Sequence, residues 1–214
     1  FILMECNDFS PGVFDAQGRL LSVKTWMPLH VAVAKEQVSP IVERFKDNIF
    51  PGDVFLANDP YLASGSHLPD WSLIRPVFYE DELMFFTLLK GHMQDTGGAF
   101  PGGYYPGAYD IHSEGLRIDY VKIFERGERQ PVYDFILNNV RWPDVVAMDN
   151  MSMMGATQRG ADELVQVCQK LGIENTRECI EALLDSSEQA MRAEIAEIPD
   201  GTYYGENACD WDGT

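Results

Sequence analysis

Two apolar runs separated by three acidic residues constrain this chain more than any other feature. Trp71 to Tyr79 and Leu83 to Lys90 are rich in aromatic and branched side chains, and Glu80-Asp81-Glu82 between them is short and polar enough for a hairpin loop. The second run, Leu83-Met84-Phe85-Phe86-Thr87-Leu88-Leu89, offers apolar side chains to both of its faces. Such a strand needs cover above and below, so it belongs inside a sheet that is packed on both sides. Pro76 has no N–H to give and predicts a bulge or an edge in the first run.

The other elements arrange themselves around that hairpin. Ile2 to Cys6 and Arg19 to Val23 read as the arms of an earlier hairpin that turns through Asp15-Ala16-Gln17-Gly18. Helical spacing from Val31 to Asn48 is interrupted at Ser39-Pro40, where proline suits the first turn of a second helix. Val54 to Ala57 is a short strand, and Gly91 to Gly107 is a glycine-rich loop with Tyr104, Tyr105 and Tyr109 interleaved. Long irregular loops in compact domains usually serve function, and this one reads as a mobile lid. It lacks the GK[ST] ending of a phosphate cradle.

A strand from Leu116 to Phe124 then turns at Arg126-Gly127-Glu128 into a helix from about Val132. Trp142-Pro143-Asp144 opens a longer helix to about Lys170 that Gly172 closes, and Asn175 with Glu178 resembles a capping box for a last helix to about Glu197. Met148, Met151 and Met154 recur every third residue and read as a core or subunit-facing stripe.

The chain has only four histidines, at positions 30, 67, 92 and 112. If Tyr79 and Leu83 are the first facing pair of the hairpin, counting outward brings Asp70 opposite His92 at its open end. Directly opposed side chains have Cβ atoms about 4.5–5.5 Å apart, a spacing at which two groups share one ion. His67 precedes Asp70 by three residues across the stiff Leu68-Pro69 turn and points to the same place. Two imidazoles and a carboxylate with open positions suit catalytic manganese, iron or zinc better than a closed structural site. Singly, each of the three also reads as an ordinary loop or turn residue. The metal set is therefore His67, Asp70 and His92, with no further cofactor-binding residue.

Asp95 reads either as a further ligand or orienter of an imidazole, or as a loop cap. His112 and Glu114 follow the glycine loop and read as proton donor or acceptor, or as a polar pair on a surface loop. Asp95 and His112 are the catalytic candidates. Strands followed by helices predict an α+β fold. The expected division is a strand-rich metal-site region at 1–130, a helical region at 131–198, and the start of a following segment at 199–214.

Composition removes several classes of function. With 34 acidic against 16 basic residues the formal net charge is −18, which argues against non-specific nucleic-acid binding and against docking on anionic membranes. No apolar run reaches the 18 or so residues of a membrane span. Four cysteines, at 6, 168, 179 and 209, show no CxxC spacing, so buried thiols in a reducing cytoplasm are expected. The chain opens on Phe1 without a basic or long apolar leader and closes in a turn-like stretch, which reads as a segment of a longer polypeptide.

Several spaced motifs together resemble the hydantoinase B and oxoprolinase family, and most of all its acetone-carboxylase branch. They are Phe14-Asp15-Ala16-Gln17-Gly18-Arg19-Leu20, Asn58-Asp59-Pro60-Tyr61, Gly65-Ser66-His67-Leu68-Pro69-Asp70, Gly91-His92-Met93-Gln94-Asp95-Thr96-Gly97-Gly98 and Ser113-Glu114-Gly115-Leu116-Arg117-Ile118. The resemblance implies a manganese site on His67, Asp70 and His92. It also implies a hetero-oligomer in which an ATP-binding, hydantoinase A-like subunit, with a small third subunit, activates a ketone and bicarbonate. The metal-bearing subunit would then join an enolate to carbon dioxide and give a 3-oxo acid. The alternatives are ATP-dependent hydrolysis of a cyclic amide such as a hydantoin or 5-oxoproline, and a non-enzymatic scaffold stiffened by its ion. One departure stands out: many relatives carry His-His where this chain has His92-Met93.

Overall fold

The computed structural model describes residues 2–24, 27, 30, 33–103 and 105–208. Among them seven strands form one antiparallel sheet: β1 (Phe9–Asp15), β2 (Leu20–Val23), β3 (Val54–Ala57), β4 (Asp70–Tyr79), β5 (Glu82–His92), β6 (Val121–Glu125) and β7 (Glu128–Arg129). Their order in space is β2-β1-β5-β4-β3-β6-β7. The helices are a single turn α1 (Ile2–Glu5), then α2 (Ser39–Phe45), α3 (Pro131–Asn138), α4 (Pro143–Leu171) and α5 (Ile173–Ala196). The fold is α+β, with most strands ahead of the long helices.

The two apolar runs occupy the middle of the sheet. β5 lies between β1 and β4 and is buried from Met84 to Gly91. On one face Phe86 and Leu88 join Phe14, Phe55 and Ile74 under Val38 and Ile41. On the other face Trp71, Leu73 and Leu89 meet Tyr133 and Ile136 of α3 and Val146 and Met153 of α4. Further along that face Val77 and Phe85 meet Cys168 of α4 and Ile180 of α5. Burying each large apolar side chain contributes roughly 1.5–3 kcal/mol, so the sheet is held from both sides.

The hairpin register differs from the expected one at its closed end. Tyr79 pairs with Glu82, not Leu83, and a bulge between Val77 and Phe78 absorbs the offset. Beyond the bulge the pairing is the expected one, Leu73 with Leu89 and Asp70 with His92. Pro76 sits beside that bulge, past the Ser72–Ile74 stretch where β4 pairs with β3, so no β3 ladder is interrupted there.

Other expectations are corrected. Ile2 to Cys6 is not a strand: β5 pairs instead with Phe9–Asp15, and Leu3 in the α1 turn packs over Gly91, where even a Cβ would meet it at 2.5 Å. The strand expected from Leu116 starts only at Val121, because the Asn58 side chain takes over the backbone of this segment through Leu116 O and Ile118 N. No capping box opens α5. Gly172, at φ 77°, ends α4 and starts α5 at Ile173, while Asn175 Nδ2 donates to Leu171 O. Met148 and Met151 face outward, since the 3.6-residue period puts Val146, Asn150, Met153 and Thr157 inside. Cys168 is buried, but Cys6 and Cys179 are exposed. Cys209, Tyr104 and the expected helix start at Val31 lie outside the described residues. Among the described residues no helix is long and apolar enough to cross a membrane.

Candidate metal centre

The open end of the β4–β5 hairpin gathers the three side chains that the sequence singles out. Asp70 and His92 are register partners, and the turn before β4 is closed by Asp70 N donating to His67 O at 3.1 Å. That turn folds His67 back over the hairpin end. His67 Nε2 lies 2.7 Å and His92 Nδ1 3.0 Å from Asp70 Oδ1, and the two rings stand 5.1 Å apart. One donor atom from each residue falls within 4.8 Å of the others. Asp70 is buried and both imidazoles are half-buried, so the cluster has a protected floor and an accessible side.

Two groups that sequence spacing does not place in the site complete its surroundings. His30 is buried, with Nε2 3.3 Å from Asp70 Oδ2 and Nδ1 3.1 Å from Ser10 Oγ. Asp8 comes alongside because β1 pairs with β5; its Oδ1 lies 3.9 Å from His30 Nε2 and is buried without a hydrogen-bond partner. Ser66 Oγ donates to Asp70 Oδ2. Burial opposes ionisation of Asp70, yet hydrogen bonds from His30, His67 and His92 outweigh it and hold the carboxyl well below the usual carboxylate range. Histidine scarcity is the only signal in the sequence for His30. Asp8 gives none when the strand is expected at residues 2–6.

Two imidazole nitrogens and a carboxylate oxygen converging on one point, with a second carboxylate oxygen left unpaired nearby, match what a divalent transition metal needs. The donor set fits such an ion. Met93 does not alter it, because that side chain is fully buried in the core with Trp71 and Leu89, on the opposite face from His92.

The two catalytic candidates lie elsewhere. Asp95 is fully buried; its Oδ2 accepts from Arg141 N at 2.6 Å and Gly97 N at 3.3 Å, and its Oδ1 from Arg141 Nη1 at 3.0 Å. Arg141 Nη2 also donates to Gly98 O at 2.7 Å, so this pair pins the start of the glycine loop that the sequence suggests as a mobile lid. Asp95 thus takes the loop-anchoring role and contributes no donor to the cluster. His112 lies in the 3-10 turn Ile111–Ser113 and is exposed. Glu114, two residues on, lines two cavities of about 490 and 270 Å³ together with His67. Tyr61, Tyr109 and Asp110 line the larger, Tyr105 and Gly103 the smaller. The cleft beside the cluster is therefore aromatic and acidic.

A family model described as Hydantoinase B/oxoprolinase matches residues 1–214. The chain belongs to this family. It is 36% identical over 200 residues to the beta subunit of the caprolactamase of Pseudomonas jessenii, covering 93% of this chain and 34% of that protein. The crystal structure of the ATP-dependent caprolactamase from the same organism superposes on 91% of this chain and 34% of its own, with a TM-score of 0.86 and 35% identity. A D-/L-hydantoinase subunit of a Pseudomonas species is 31% identical over 98% of this chain and 36% of its own length. The acetophenone carboxylase delta subunit of Aromatoleum aromaticum is 27% identical over 92% of this chain and 29% of its own. This hydantoinase B family chain spans about a third of the length of these relatives. The family thus holds both amide hydrolases and ATP-dependent carboxylases.

Proposed function

We propose that this chain is the metal-bearing part of an ATP-dependent enzyme that opens a cyclic amide. The observation that carries the reading is the convergence of His67, Asp70 and His92 beside a cleft walled by Tyr61, Tyr109 and Glu114. The likeness to relatives named caprolactamase and hydantoinase supports it. A divalent cation, manganese or else zinc or iron, would act there as Lewis acid on the amide carbonyl. The chain's own residues do the rest. Ser66 fixes the second oxygen of Asp70, Ser10 orients His30, and the Glu114 carboxylate faces the cleft to take or give a proton. Residues 1–130 supply the site and 131–198 the helices that back it. ATP is used on a hydantoinase A-like partner subunit, with a small third subunit in some assemblies, and the setting is the cytoplasm, where free thiols such as Cys6 and Cys179 stay reduced.

The second reading is the metal-bearing subunit of a ketone carboxylase that joins an enolate to carbon dioxide, supported by the likeness to the acetophenone carboxylase delta subunit. One experiment separates the two. The full-length polypeptide with its partner subunits is given ATP and either caprolactam, hydantoin or 5-oxoproline, or acetone or acetophenone with bicarbonate. Ring-opened amino acid supports the first reading, and a 3-oxo acid alone replaces it with the second. A chain that carries the ion only as a stiffener would keep its turnover in His67→Ala and lose melting temperature instead.

A further inference from the structure

Lys90 is the only lysine or arginine wholly buried among the described residues, and its Nζ has no hydrogen-bond partner. It stands on β5 two residues before His92, on the same face, flanked by its register partners Ser10 of β1 and Ser72 of β4. Neither serine is committed to it. Ser10 Oγ engages His30 Nδ1 at 3.1 Å, and Ser72 Oγ donates to Gln37 Oε1 at 2.9 Å. A buried ammonium without hydrogen bonds is costly unless an opposite charge lies close. The charge available is the Asp70 carboxylate, one row further along the same sheet face and diagonal to Lys90 across β4 and β5.

We infer that Lys90 is the internal counter-charge of the cluster: it balances Asp70 in the ion-free chain and weakens the hold on a divalent cation. The inference rests on reading His67, Asp70 and His92 as a cation site. With neutral imidazoles, the two negative charges of Asp8 and Asp70 would match those of a divalent ion. Lys90 leaves the loaded site with net positive charge, which attracts the oxygen that becomes negative when a carbonyl is attacked or an enolate forms. The cost of that arrangement is affinity for the ion, since two cations are held in one poorly solvated pocket.

The test measures Mn2+ affinity by competition with a chelator, at fixed pH and ionic strength, on the full-length polypeptide in its complex. Lys90→Met and Lys90→Gln remove the charge and nearly keep the volume. Both are expected to bind Mn2+ about tenfold tighter or more, with the melting temperature kept or raised. A merely structural lysine cannot give that result, because loosening the site weakens binding. Equal or weaker Mn2+ binding in both variants, or loss of fold in both, overturns the inference and leaves the cation site standing. Failure of the native complex to bind Mn2+, Zn2+ or Fe2+ at the cluster overturns the site reading itself, and the inference with it.

Discussion

Asp70 faces His92 across the β4–β5 pair, with its Oδ1 3.0 Å from His92 Nδ1 and 2.7 Å from His67 Nε2, so one carboxylate oxygen organises both imidazoles. Removing its charge removes a donor and the anchor of two others. Asp70→Asn is expected to lower divalent-cation affinity by more than about a hundredfold, with the secondary structure retained. Metal content after dialysis against a weak chelator, read beside circular dichroism, checks this; native metal content in the variant would show that Asp70 is not a ligand.

How much of this centre can be read from the sequence depends on how local each contact is. His67, Asp70 and His92 are legible because a turn of three residues and one hairpin bring them together, and strand pairing has a fixed period. The bulge at Val77 is not legible, yet it cancels the misplaced closure at Tyr79 and returns Asp70 to His92. His30, Asp8 and Lys90 reach the site only through the pairing of β1 with β5 and through chain that crosses above the sheet. Such long-range contacts leave no spacing signal. Asp95 misleads because a carboxylate three residues from a ligand looks the same whether it faces an ion or Arg141.

The Asp95–Arg141 pair makes a separate expectation. Asp95→Asn leaves the buried side of Arg141 short of a charged acceptor and frees Gly97 and Arg141 backbone groups, at a cost of about 2–3 kcal/mol. Urea unfolding is the measure, and cation content is expected to stay native. Loss of the cation with native stability would return Asp95 to the ligand set.

A pH dependence follows from Asp59. Burial pushes its carboxyl up, but Arg117 Nε at 2.6 Å and the N–H groups of Tyr61 and Leu62 outweigh burial and hold it below the ordinary carboxylate value. A carboxyl whose folded pKa is depressed adds stability above its unfolded pKa, and that stability is lost as pH falls through the folded value. Asp59→Asn is therefore expected to cost about 1–2 kcal/mol at neutral pH, with the gap to the native chain narrowing below pH about 4. Melting curves of both proteins across that range test it, and a gap that widens in acid would contradict the sign.

Gly98 offers a way to move Glu114 without touching its carboxylate. Its φ is +80°, and a Cβ there would stand 2.7 Å from both Glu114 C and Ser113 O, two backbone atoms that cannot swing aside. Ala99 N also donates to Ser113 O at 2.8 Å, so the two segments are tied where the clash falls. Gly98→Ala is expected to cost about 2 kcal/mol of stability and to displace Glu114 from the wall it shares with His67. Turnover should then fall about tenfold or more with cation content unchanged. Gly102→Ala is the control, because Gly102 has φ +94° but nothing within 4 Å of its Cβ position, so it meets backbone strain alone. His112→Ala, at an exposed position that lines neither cavity, is expected to change turnover little. Equal loss of turnover in Gly98→Ala and Gly102→Ala would show that the loop's general conformation matters and that the seating of Glu114 does not.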